Sequence, residues 1–111
     1  MSDGAYVALT TSNIYDWATF HAESRRALGF PADTEPSLEA WTLCLSSLRD
    51  DPGLTSVRLP PGEMLQLEIP DAEGLVERVP DLMEAVALCA SVANRRYLER
   101  GQAPAIALIL S

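Results

Sequence analysis

The sequence predicts an α/β fold: a three-stranded parallel sheet packed by four helices, in the order β-α-α-β-α-α-β. Three short apolar-rich runs lie near the start, middle and end of the chain, at residues 5–10, 64–69 and 105–110. Two helical periodicities separate each run from the next. Connections made of helices join parallel strands, here expected as right-handed crossovers. A length of 111 residues fits one domain spanning residues 1–111.

Each element has its own justification. Residues 5–10 (AYVALT) are apolar-rich and read as a strand. Thr11, Ser12 and Asn13 favour turns and helix starts. Asn13 can cap, with Asp16 suiting the positive helix N-terminus. Ile14, Trp17, Ala18, Phe20 and Leu28 then share one face of a first helix, and Gly29 is placed to end it in a left-handed conformation.

After Phe30-Pro31 comes the polar stretch ADTEPS. Thr34 is a candidate cap and Pro36 is tolerated in a first helical turn. The second helix is expected over residues 35–48, with Leu38, Trp41, Leu45 and Leu48 on one face and Cys44 at its border. Residues 49–63 (RDDPGLTSVRLPPGE) hold three of the eight prolines and two of the six glycines. They read as a long loop rather than a domain boundary.

The second strand is MLQLEI at residues 64–69. A short helix over residues 71–78 follows, with Asp71 as N-cap, and Pro80 separates it from a longer helix over residues 81–100. There Leu82, Val86, Cys89 and Ala93 line up, while Arg95, Arg96 and Arg100 sit in the last turns, where cations suit the dipole. Gly101 stops this helix, and residues 105–110 close the chain as a buried strand.

Sixteen acids against eight arginines and no lysine give a formal charge of -8. Nucleic acid and anionic membranes need cationic surface, so neither is expected as a partner. A cationic partner fits, and so does solubility alone. The longest apolar run, AIALIL, is far below the roughly 20 residues that span a bilayer. The N-terminus lacks a basic region followed by a long apolar one, so no signal peptide is evident and a cytoplasmic location is expected. Cys44 and Cys89 fall in apolar helical patterns and read as reduced, buried residues; no Cys/His cluster suggests zinc.

Little in the chain suggests catalysis. His21, the only histidine, falls with Ile14, Trp17 and Leu28 on the apolar face of the first helix, where it reads as a core residue. Asp50-Asp51 reads as a solvated loop pair, and Asp71/Glu73 as a helix start. No phosphate-binding glycine loop or serine-centred elbow occurs. No catalytic residue, metal ligand or cofactor is therefore expected.

Residues 33–51 stand out. Asp33, Glu35, Glu39, Asp50 and Asp51 face one base, Arg49, a net of -4 (five acids minus one base). Opposite the Leu38/Trp41/Leu45/Leu48 face, the wheel of the second helix carries Glu39, Leu43, Ser46 and Ser47, with Thr42 at the edge. A lone exposed leucine is ordinary. Ringed by short polar side chains and an acid, it also fits a protein-binding surface.

These residues resemble the barstar family, small intracellular inhibitors of barnase-like ribonucleases. The carriers are Phe20-His21, Leu28-Gly29-Phe30-Pro31, Leu38-Glu39-Ala40-Trp41 with Cys44-Leu45, Leu67-Glu68-Ile69, and the closing Ile109-Leu110-Ser111. TSVRLPPGEMLQLEI and ANRRYLERGQAPAIAL look like a branch with a longer loop before the second strand. The resemblance implies three parallel strands and four helices. It also implies that the second helix and the loop before it enter the cleft of a cationic ribonuclease, their carboxylates standing in for RNA phosphates.

The resemblance also shows departures. The family loop has aromatics and Gly-x-Asn, where this chain has Asp33, Thr34, Glu35, Pro36 and Ser37. A family aspartate early in the helix corresponds to Glu39, which keeps the charge. A second, central to ribonuclease inhibition, corresponds to Leu43, and acids late in the fourth helix correspond to Arg96 and Arg100. The expected partner is a cationic ribonuclease or toxin protein, bound through Asp33, Thr34, Glu35, Ser37, Leu38, Glu39, Thr42, Leu43 and Ser46, with the chain acting as an immunity or antitoxin-like protein. The alternative is a non-inhibitory binding module that uses a mixed apolar and acidic surface around Leu43.

Overall fold

A computed structural model of the chain describes residues 5–50 and 53–111. Residues 1–4 of the N-terminal stretch read for a leader and the Asp51 half of the loop acid pair lie outside these. The order is β1 (Ala5–Ala8), a 3-10 turn (Thr11–Asn13), α1 (Trp17–Leu28), α2 (Leu38–Leu45), β2 (Leu65–Ile69), α3 (Ala72–Arg78), α4 (Leu82–Glu99) and β3 (Ile106–Leu110). All strand pairings are parallel, in the order β1-β2-β3. The predicted α/β class, element order and parallel sheet are all present.

The central strand β2 shows why the sheet needs helices. Leu65, Leu67 and Ile69 are buried, while Gln66 and Glu68 are half-buried. Side chains alternate across a strand, so one sheet face carries the apolar load. Val7, Leu67 and Leu108 share a row across the register. Against this layer, α4 packs on α2, α3 and β3, and α1 on β1. The buried apolar residues form one cluster, with Trp41, Tyr97 and Phe20 the largest fully buried side chains.

Helix ends differ from the sequence expectation, for local reasons. The cap of α1 is Asp16, not Asn13: its carboxylate accepts from Thr19 N at 2.8 Å, and Thr19 Oγ1 accepts from Asp16 N at 3.0 Å. That reciprocal pair satisfies two end amides at once. Ile14 is buried ahead of the helix, and Asn13 closes the separate 3-10 turn. Gly29 ends α1 at φ 71°, as expected.

The second helix is shorter than expected, Leu38–Leu45 rather than residues 35–48. Pro36 disfavours helical backbone at Glu35. Ser37, not Thr34, supplies the cap, its Oγ accepting from Ala40 N at 3.1 Å. At the other end, Ser46 Oγ donates to Thr42 O at 2.7 Å and Ser47 Oγ to Cys44 O at 2.8 Å. Hydroxyls that bond back to carbonyls compete with helical continuation.

Asp71 holds the N-cap position of α3 without capping: it sits at φ 54° and its side chain makes no cap bond. Its carboxylate instead lies 3.8 Å from the Arg78 guanidinium. Strand β1 ends at Ala8, two residues early, although Leu9 N still donates to Glu68 O at 3.0 Å.

Candidate functional site

The candidate surface is built on α2, and α1 and α4 hold that helix. On its inner face Trp41 is buried, its indole N–H donating to Ser24 Oγ of α1 at 3.1 Å, with its ring 5.9 Å from Phe20. At its C-terminal end the buried Tyr97 of α4 takes over. The phenol donates to Leu45 O at 2.7 Å and accepts from Leu48 N at 2.8 Å. Burial pushes its pKa up. Arg100 Nη1 donates to Ser46 O at 3.1 Å and Arg96 Nη1 to Ser46 Oγ at 3.3 Å. Two guanidinium groups thus sit where the carbonyl end of α2 is negative.

The loop before α2 is folded tightly. Thr34 N donates to Pro31 O at 3.0 Å and Ser37 N to Glu35 O at 2.9 Å. Arg25 of α1 holds it through a 3.3 Å bond to Ala32 O. Asp33 and Glu35 on this loop, and Glu39 in the first turn of α2, are exposed. Among the described residues their carboxylates meet no hydrogen-bond donor and no cation. Three uncompensated negative charges therefore share one region of surface.

The nine predicted partner-binding residues separate by burial. Asp33, Glu35, Glu39 and Leu43 are exposed, Leu43 at 55%. Thr34, Ser37 and Leu38 are half-buried. Thr42 and Ser46 are interior: Thr42 Oγ1 donates to Leu38 O at 2.8 Å, and Ser46 lies under the α4 arginines. Ser47, also expected on the outer face, is buried. The wheel misplaced Ser46 and Ser47 because α2 ends before them, and it could not see that α4 covers the edge at Thr42.

The structure adds residues that the sequence did not single out. Leu38, Glu39, Thr42 and Leu43 of α2 and Cys89, Val92 and Arg96 of α4 line a groove of about 380 Å³. Leu88 and Val92, both exposed, lie four residues apart on α4. They fall outside its Leu82/Val86/Cys89/Ala93 stripe, a signal that could have found them.

A smaller pocket of about 180 Å³ lies on the α1 side of the loop, between His21, Arg25, Phe30, Glu35 and Trp41. His21 is half-buried at this rim, not in the core as the wheel suggested: the buried face of α1 runs through Phe20, Glu23, Ser24 and Leu28, and Ile14, which the wheel counted, lies outside the helix. Its ring meets Phe20 edge-on at 5.1 Å, and burial lowers its pKa. No hydrogen bond among the described residues reaches the imidazole. Cys44 and Cys89 are free thiols and buried, as expected, and burial pushes the Cys44 thiol up. No group of three potential metal ligands occurs among the described residues, and no helix among them is long and apolar enough to cross a membrane.

Compared with protein families, the chain matches the model described as Barstar (barnase inhibitor) over residues 5–109. The match runs from the first residue of β1 to the last residue but one of β3. Among curated proteins, none matches this sequence.

Proposed function

Since the chain belongs to the barstar family, we propose that it is a ribonuclease inhibitor of the immunity or antitoxin type, covering the cleft of a cationic nuclease or toxin inside the cell. The family acts by binding barnase-like ribonucleases, a protein-binding role and not a catalytic one. The observation that carries the reading is the set of uncompensated carboxylates Asp33, Glu35 and Glu39 on loop 31–37 and α2. Opposed potentials speed encounter, and a cationic cleft supplies the partners these groups lack. Ser37 and Leu38 shape this surface. Thr34 supports it from the loop, and Thr42 and Ser46 hold α2 from within.

Titration of this chain against a cationic ribonuclease such as barnase tests the proposal. Stoichiometric inhibition that weakens as salt rises is expected. Glu39→Lys reverses a charge facing the cleft and should slow association about tenfold or more at low salt. Unchanged inhibition by Glu39→Lys would move the interface elsewhere.

The 55% exposure of Leu43 favours a second reading. Here the chain is a non-inhibitory binding module, with Leu43 as apolar anchor for a less basic partner. Leu43→Asp separates the two, weakening that contact while preserving or improving binding to a cationic nuclease.

A further inference from the structure

The groove between α2 and α4 has two different ends. Leu38 and Glu39 face Cys89 and Val92, whereas the end of α2 meets Arg96 and Arg100. Glu39, in the first turn of α2, therefore lies towards one end of the groove and Arg96 towards the other, with exposed Leu43 and Val92 lining it as well.

We propose that this is a bipolar recognition groove. It takes a protein face carrying an apolar residue between a cationic and an acidic one, and Arg96 is the specificity-determining residue that selects the acid. The proposal deepens the inhibitor reading and rests on it for the face used.

Three observations support this. Glu39 and Arg96 line one groove without pairing with each other, so opposite charges stand on one surface. Arg96 donates to a neutral hydroxyl, Ser46 Oγ, and lies near the negative end of α2, but no carboxylate among the described residues pairs with it and its side chain is exposed. The apolar middle would exclude water once covered and strengthen charge pairs at either end. An acid opposite Arg96 can accept a forked pair of hydrogen bonds, whereas a base there meets like charge. A wholly cationic cleft thus suits only the Glu39 end. A second copy of the chain is disfavoured because each copy carries -8. Nucleic acid would set its phosphates against Glu39 in the groove and against a chain of net charge -8.

The test uses inactive barnase as the probe, titrated calorimetrically with the wild type and with Arg96→Ala and Arg96→Glu. Circular dichroism checks that each variant is folded. Arg96→Glu should tighten binding at least tenfold, more at low salt than at high, with Arg96→Ala intermediate. Barnase variants that each replace one basic cleft residue by Glu should include one that the wild type binds better than unmodified barnase, a gain that Arg96→Glu abolishes. Wild type and Arg96→Glu binding alike, or the variant binding more weakly, overturns this inference and leaves the inhibitor reading standing. Binding gained only by the variant supports the inference and counts against a barnase-like natural target. No binding by either overturns both. Sedimentation of the wild type as a dimer that Arg96→Glu dissociates would make the occupant a second copy and overturn the proposed partner.

Discussion

Glu23 is the one buried acid among the described residues, and it ties α1 to the end of β1. Its carboxylate accepts from Thr10 N at 2.8 Å and from Arg26 Nε at 2.9 Å. The Arg26 hydrogen bonds do most to lower its pKa, to about 2, with the Thr10 amide assisting against the opposing effect of burial. The folded state therefore binds fewer protons than the unfolded chain between about pH 4.5 and pH 2. The stabilisation is complete above the unfolded pKa and is lost as pH falls through the folded one. Because Arg26 is exposed, screening keeps the contribution to about 1–3 kcal/mol. Urea unfolding of the wild type should lose stability across that window, and Glu23→Gln should flatten the loss. An equal loss in the variant would place the linkage in other carboxylates. At this scale the sequence was only partly legible: Glu23 sits in a polar part of the α1 pattern, and its amide partner is thirteen residues away.

At the scale of elements, helix existence followed from apolar periodicity, and helix ends followed from hydrogen bonds that periodicity does not contain. Thr34 and Ser37 are equally plausible caps by type; the backbone turn at Pro36 decides for Ser37. Gly29 was legible because a left-handed residue after an apolar run has few alternatives. The structure gives it a second duty. A Cβ there would run into Ser56, 2.9 Å from its backbone N, where that N donates to Leu28 O at 3.0 Å. Gly29→Ala should cost about 1–2 kcal/mol from left-handed strain alone. The displaced loop should also become more open to protease cleavage. A melting temperature within a degree of wild type would mean that the loop yields without cost.

On the scale of the molecule, the described residues between α2 and β2, 46–50 and 53–64, hold no regular helix or strand, yet the fold anchors them at several points. Leu59 is buried and its N–H donates to Leu48 O at 2.8 Å. Arg49 reaches Glu63 O at 2.7 Å and Ala103 O at 2.6 Å, and its guanidinium lies 5.1 Å from the centre of the Tyr97 ring. The loop is thus closed on itself and tied to α4 and to the approach to β3. Leu59→Ala should lower unfolding free energy by about 2–5 kcal/mol through the cavity it leaves. A shift in the urea midpoint equivalent to under about 0.5 kcal/mol would mean that the loop packs independently of the core.

By itself the sequence determined the α/β class, the strand and helix order, the parallel sheet and the kinship with barstar. These depend on periodicity, glycine stops and residue spacing, all local or additive along the chain. It also marked the acidic stretch and the exposed Leu43. Only the tertiary structure decided which polar residues of α2 face inward, because α4 covers Thr42 and Ser46 and brings Tyr97, Arg96 and Arg100 from some fifty residues away. The groove that joins Glu39, Leu43, Val92 and Arg96 is a product of that contact, since two helices with no shared sequence pattern must pack before their side chains form one surface.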